Sequence, residues 1–318
     1  MAGEAFNAVN TGFASCFRPG RLSVGLVVPL ESYLMDDLPT LNRHLERAQL
    51  AEELGFSALW LRDVPFNVPA FGDVGQMLDP FVYLGALAQA TDRIALGVAS
   101  VILPLRHPAH VAKAAATADV LSGGRVLLGV ASGDRPEEYP AMGAEYETRG
   151  ARFRDSLAYI NAAFSDFPVL EADQGRLNGR MDMLPKPTAG RVPLLITGGA
   201  QQAPDWVAAH GDGWITYPRN LTMQAQTVAA YRARVAEAGL PLKPVVQSLY
   251  VDLADDDAWP ARPIALGYSA GAAFFRQHLQ DLQAISVNHV AVNLRYNTAD
   301  IETTMTRLAR DVLPALLD

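Results

Sequence analysis

Short apolar runs rich in β-branched residues alternate along the chain with stretches of helical period, and a polar or glycine-rich turn separates most of them. Residues 22–30 (LSVGLVVPL) predict a buried strand. Residues 39–54 predict a helix, because Leu41, Leu45, Ala48 and Ala51 fall on one face and Gly55 ends the pattern. The same reading gives strands at 58–62, 94–103 and 125–131, with helices at 80–90 and 108–121. From 132 to 192 the rhythm loosens into a polar loop, one helix at 150–164 and a stretch broken by Pro and Gly. This region is expected to be an insertion on one face, hiding a weak fifth strand. The alternation resumes with strands at 193–197 and 213–217, counted sixth and seventh, then 245–253 and 288–294. Helices are expected at 204–210, 223–238, 270–284 and 300–317. About eight such units make a (β/α)8 TIM barrel, an α/β fold, with an insertion after the fourth strand. An open doubly wound sheet is the alternative, and the lack of GxGxxG after the first strand counts against it. Residues 1–20 are expected to form an N-terminal arm, ordered or loose, on a single domain spanning 1–318.

Composition agrees with that architecture. A barrel of about 250 residues plus insertions fits a chain of 318 residues. Half the residues are hydrophobic and 19% are charged, which excludes wholesale disorder. The formal net charge of -8, without a basic block, makes nucleic acid and anionic membranes poor partners. Apolar runs are strand-sized, so no membrane span is expected, and the N-terminus with Glu4 does not read as a secretory leader. A cytoplasmic location is the expectation. The single cysteine, Cys16, excludes an internal disulfide, and with no base near it in sequence it is not expected to be a nucleophile. The six histidines form no HExxH and there is no GxSxG, so neither a metal centre nor a serine nucleophile is expected.

Barrel chemistry sits at the carboxyl ends of the strands. Arg62 and Asp63 follow the second strand, Ala99 and Ser100 lie late in the third, and Ser132 to Arg135 follow the fourth. The segment ITGGAQQAPDWVAA is the most informative, because a strand runs through Gly198 and Gly199 into Ala200, Gln201 and Gln202 and then opens a helix. Free backbone amides at such a turn suit a phosphate, and loops after the last barrel strands commonly hold one; a plain tight turn is the competing reading. Tyr217 and Arg219 follow the next strand.

The segment IALGVASVILPLRHPAHVAKAAATADVLSGGRVLLGVASGDRPEEYPAMG resembles the bacterial luciferase-like flavin-dependent monooxygenases, and the likeness extends over roughly residues 22–313. The resemblance implies a TIM barrel that binds reduced FMN, or F420 in one branch, with O2, a small organic substrate and an NAD(P)H-flavin reductase as partners. It implies a non-prolyl cis peptide at Ala99–Ser100 behind the flavin ring. It also implies a phosphate site at Gly198, Gly199, Ala200, Gln201 and Gln202, with Arg152 as a phosphate-pairing cation, Ser132 near the phosphoribityl chain and Tyr217 beside the cofactor. Where several relatives carry a catalytic histidine after the second strand, this chain has Val64, next to Arg62 and Asp63 as the catalytic candidates. Bioluminescence is therefore not expected. An F420-dependent hydride transfer, or flavin binding without turnover, are the alternatives. A homodimer is expected through helices near the second and third strands, including 108–121.

Overall fold

The computed structural model describes residues 6–33, 37–71 and 77–316. Eight parallel strands form a closed barrel: Ser23–Val27, Ala58–Leu61, Ala95–Ile102, Val126–Ala131, Leu194–Thr197, Gly213–Thr216, Val245–Leu253 and His289–Asn293. Each pairs with the next, and the ring closes where Ser23 pairs with His289. Strands covered on both faces read as unbroken apolar runs, which is why ALWL and VLLGVA are strands despite lacking alternation. Helices Pro80–Ala90 and Pro108–Leu121 coincide with the sequence reading, each begun by a proline in its first turn. Asp79 and His107 cap their free amides. The first helix is shorter than its apolar pattern and begins at His44.

Two expectations are corrected. The fifth barrel strand does not lie within 132–192; it is Leu194–Thr197, so the strands counted sixth and seventh from the sequence are the fifth and sixth. The weak run inside the insertion instead forms a separate hairpin, Val169–Ala172 with Gly175–Asn178, outside the barrel. The insertion also holds the helix Arg149–Ala163, packed on Pro108–Leu121. The alanine face of Pro108–Leu121, with Ala112, Ala115 and Ala116 buried, is covered from within the chain.

The arm, from Phe6 onward, is not a loose tail, and residues 1–5 lie outside the described residues. The helix Thr11–Cys16 fills the amino end of the barrel, where Phe6, Phe13, Cys16 and Phe17 pack on the inward residues Ala58, Trp60, Ala95, Leu127, Leu195 and Val246. Asn10 fixes it: its amide donates to Asp119 at 3.0 Å and to the Val126 carbonyl at 2.9 Å, while its oxygen accepts from Phe13. A second, larger core lies between the outer faces of the strands and the helices. With the amino end of its interior filled by the helix Thr11–Cys16, the barrel opens toward the carboxyl ends of its strands.

Candidate active site

A cavity of about 360 Å³ occupies that open end. Its floor is apolar, formed by Val27, Trp60, Ile215, Val246 and Ala291, and its walls carry Ser100, Thr197, Thr216, Gln247, Ser248 and Asn293. Trp60 lies flat enough for its ring to take the room left by Gly97, where an added Cβ would sit 2.3 Å from the indole. The indole NH donates to His289 Nε2 at 2.7 Å, which leaves the other ring nitrogen to carry the proton and donate to Ser23 Oγ, also at 2.7 Å. Beneath, Cys16 Sγ lies 3.3 Å from the same nitrogen. Burial pushes the Cys16 thiol up to about 12 and His289 down to about 3, so both are neutral at ordinary pH. This thiol and imidazole, brought together from opposite ends of the chain, support the floor and are no nucleophile and base.

The Ala99–Ser100 peptide is cis, and the third strand shifts register against the fourth between Val98 and Val101. This bulge brings Ser100 Oγ into hydrogen bonding with Thr197 Oγ1 across the barrel wall. At the end of the fifth strand, Gly198, Ala200 and Gln201 all have positive φ, at 56, 45 and 60°. The Gly198 amide is used by the Ile215 carbonyl and the Gln202 amide by the Gly199 carbonyl, each at 2.8 Å. Among the described residues, no acceptor takes the amides of Gly199, Ala200 or Gln201, and all three residues line the cavity. The Gln202 side chain is engaged by the carbonyls of Gly150 and Ala200, so it braces the turn against the helix Arg149–Ala163.

After the second strand, the two catalytic candidates behave differently. Asp63 is buried and saturated: Arg106 donates to it through two nitrogens at 2.9 and 2.7 Å, and the Ile102 amide adds a third bond at 3.1 Å. Arg106 continues to Asp79, the cap of the helix Pro80–Ala90. Arg62 also lines the cavity, as do Asp63, Val64 and the exposed Asp134. Asp134 makes no hydrogen bond or ion pair among the described residues. No histidine lines the cavity among the described residues.

The sequence of residues 19–317 matches the model of the family described as luciferase-like monooxygenase. The chain belongs to the luciferase-like monooxygenase family. An uncharacterized protein of Mycobacterium tuberculosis is 33% identical over 190 residues, 55% of this chain and 67% of that one. The F420-dependent hydroxymycolic acid dehydrogenase of the same species is 28% identical over 70% of this chain and 59% of its own length. The 4-hydroxyprotoasukamycin monooxygenase of Streptomyces nodosus subsp. asukaensis is 30% identical over 56% of this chain and 47% of its own. The chain thus spans about half to two thirds of these relatives. Among solved structures, monooxygenase RslO1 of Streptomyces bottropensis superposes with a TM-score of 0.77 at 19% identity, covering 92% of this chain and 99% of that one. The oxygenating constituent of 3,6-diketocamphane monooxygenase from Pseudomonas putida, in complex with FMN, gives 0.75 at 15% identity, with 93% and 99% covered. These likenesses establish the fold.

Within this luciferase-like barrel the predicted residues do not all converge. Arg62, Asp63, Ala99, Ser100, Ser132, Gly198, Gly199, Ala200, Gln201 and Tyr217 line the one cavity. Gln202 and Arg152 do not; the Arg152 Nε donates to the Pro104 carbonyl at 2.7 Å. The turn with the unpaired amides follows the fifth strand, not one of the last strands as expected. Sequence reasoning missed Gln247 and Asn293. Gln247 is buried and accepts from Gln224 at 2.7 Å. A glutamine after two valines in the strand Val245–Leu253, and an asparagine at the carboxyl end of the last strand, were the available signals. No helix among the described residues is long and apolar enough to cross a membrane.

Proposed function

We propose that this protein is a flavin-dependent oxidoreductase that holds reduced FMN in the barrel mouth and uses O2 to oxygenate a small organic substrate. One observation carries the reading: three consecutive unpaired amides, at Gly199, Ala200 and Gln201, line the same cavity as the cis Ala99–Ser100 peptide. Such a nest of donors fits a phosphate dianion, and the apolar floor with a polar wall fits a planar ring whose edge carries hydrogen-bonding atoms. A reduced flavin, when bound, supplies the electrons for oxygen activation; the chain supplies binding, orientation and exclusion of water.

In this reading the three amides hold the phosphate, with Arg152 and Ser132 nearby, and Ala99, Ser100 and Trp60 shape the seat of the ring. Gln247, oriented by Gln224, presents its amide NH2 to the ring edge, since its oxygen is already taken. Tyr217 flanks the turn at the rim. Arg62 faces the substrate, and Asp63 acts by holding Arg106 and the third-strand loop rather than by touching reactants. Proton movement falls to Asp134, the lining carboxylate left outside the ion pairs. A reductase supplying reduced flavin, a homodimer and a cytoplasmic setting remain part of the proposal.

F420 is the second reading, favoured by the likeness to an F420-dependent dehydrogenase over 70% of this chain. Anaerobic titration with reduced FMN and with reduced F420, in parallel, decides between them. Affinity no tighter than about 1 mM for both would overturn the reading. Gly199→Asp, where a Cβ has space, places a carboxylate at the phosphate and is expected to weaken binding at least about tenfold, while Gly199→Ala changes it little. Flavin binding without oxygen uptake, given a reductase and a substrate panel, would make the protein a flavin carrier without turnover.

A further inference from the structure

A second cavity, of about 440 Å³, lies outside the barrel between the helices Pro204–His210 and Leu221–Glu237, behind the turn that carries the unpaired amides. It is formed differently from the first. Trp214 points outward from the sixth strand and stacks on Tyr231, with ring centroids 4.9 Å apart at 26°. Pro204, Val207 and Ala230 complete an apolar wall. The Trp214 indole is satisfied by the Gly198 carbonyl at 2.9 Å. The Tyr231 hydroxyl is not: it is buried, has no hydrogen-bond partner, and its residue is 5% exposed. A buried hydroxyl left without a partner costs on the order of 1–3 kcal/mol, and this one is sealed from the cavity, so Tyr231 serves the wall with its ring.

The charge at the rim gives the second half of the ligand. Arg219 also lines this cavity, and one of its terminal nitrogens is fixed by Thr216 Oγ1, the Tyr217 carbonyl and Gln224 Oε1 at 2.9, 2.9 and 3.2 Å. These partners are all neutral, and among the described residues no carboxylate pairs with Arg219. Its guanidinium is therefore oriented without being neutralised, whereas Arg234 on the same rim is paired with Asp205 at 3.0 Å. An oriented guanidinium selects a planar anion such as a carboxylate.

We propose that this outer cavity is a binding site for an aromatic carboxylate, with its ring packed on Trp214 and Tyr231 and its carboxylate on Arg219. The cavity adjoins the barrel mouth, sharing Gly198, Gly199, Thr216 and Tyr217 with it, and is tested without any flavin present. The probes are phenylacetate and the neutral 2-phenylacetamide, titrated by calorimetry and by quenching of tryptophan fluorescence. The wild-type protein is expected to bind phenylacetate saturably, about tenfold more tightly than the amide.

Arg219→Ala is expected to erase the preference for the acid over the amide. Ala230→Leu, which fills the cavity and leaves the barrel mouth untouched, is expected to abolish binding while reduced-flavin affinity is retained. Circular dichroism and thermal melting confirm that each variant is folded. Absence of saturable binding to the wild-type protein, equal affinity for acid and amide, or binding indifferent to Ala230→Leu would each overturn the proposal. Ala230 lines the outer cavity and not the barrel mouth, so its variant keeps failure of this proposal distinguishable from failure of the flavin reading.

Discussion

Gly97 and Trp60 show how one missing side chain shapes the floor of the site. Gly97→Ala would drive a methyl into the indole ring, and Trp60 has no spare room in a plugged barrel. The expected outcome is a loss of roughly 1–3 kcal/mol in denaturant unfolding, together with weakened flavin binding, because the displaced indole forms the cavity floor. His289, under the same indole, gives a prediction of definite sign. Its folded value is pushed down from 6.5 to about 3 by burial, so within that window the unfolded chain takes up a proton that the folded chain refuses. Stability therefore falls as pH drops from 6.5 toward about 3, by up to about 1.4 kcal/mol per pH unit from this group. His289→Gln should be less stable at neutral pH but show a shallower slope between about pH 6 and pH 4 in urea titrations. None of this was legible in the sequence. Cys16, Trp60 and His289 are far apart along the chain, and only the closure of the ring makes them neighbours.

At the scale of elements, helices with proline at their start and alanine on one face were readable to the residue, because local capping and period agree with the tertiary packing. The strand at Leu194–Thr197 was readable as well, but its place as fifth in the ring was not. LLIT is four residues long, and the hairpin Val169–Asn178 offers an equally strand-like pattern nearby. Only pairing in space tells a barrel strand from an outlying ribbon. The loop after the second strand shows a similar limit: Asp63 stood at the right place for chemistry, yet its bidentate contact with Arg106 makes it an anchor. Asp63→Asn is expected to lower thermal stability and to reduce turnover mainly through KM, by loosening the third-strand loop; a loss confined to kcat with unchanged melting would assign Asp63 to the chemistry instead. Arg106→Lys, which keeps the charge but not the two-pronged contact, should fall between the two.

For the whole molecule, the cavity at one end and the plug at the other make ligand binding and global stability measurable together. If the mouth holds a reduced flavin, saturation at about 100 times Kd adds roughly 2.7 kcal/mol, a rise of several degrees in Tm. Gly199→Asp should remove that rise without changing the Tm of the unliganded protein. The overall architecture was legible because eight repeats of one unit leave few alternatives. The tight turn after the fifth strand was legible too, through its two glycines. Its decisive property, three amides without acceptors, depends on φ angles and on which carbonyls lie within reach, and neither is written in residue identity.

Thr11–Cys16 precedes every barrel strand along the chain, yet the walls it rests on include Ile215, Val246 and Ala291, from the last three of those strands. Until the final strand arrives to zip against Ser23, that greasy stopper has nowhere complete to sit. Seating of the plug thereby waits on the closing of the ring, and until then Phe6, Phe13 and Phe17 stay in need of shelter.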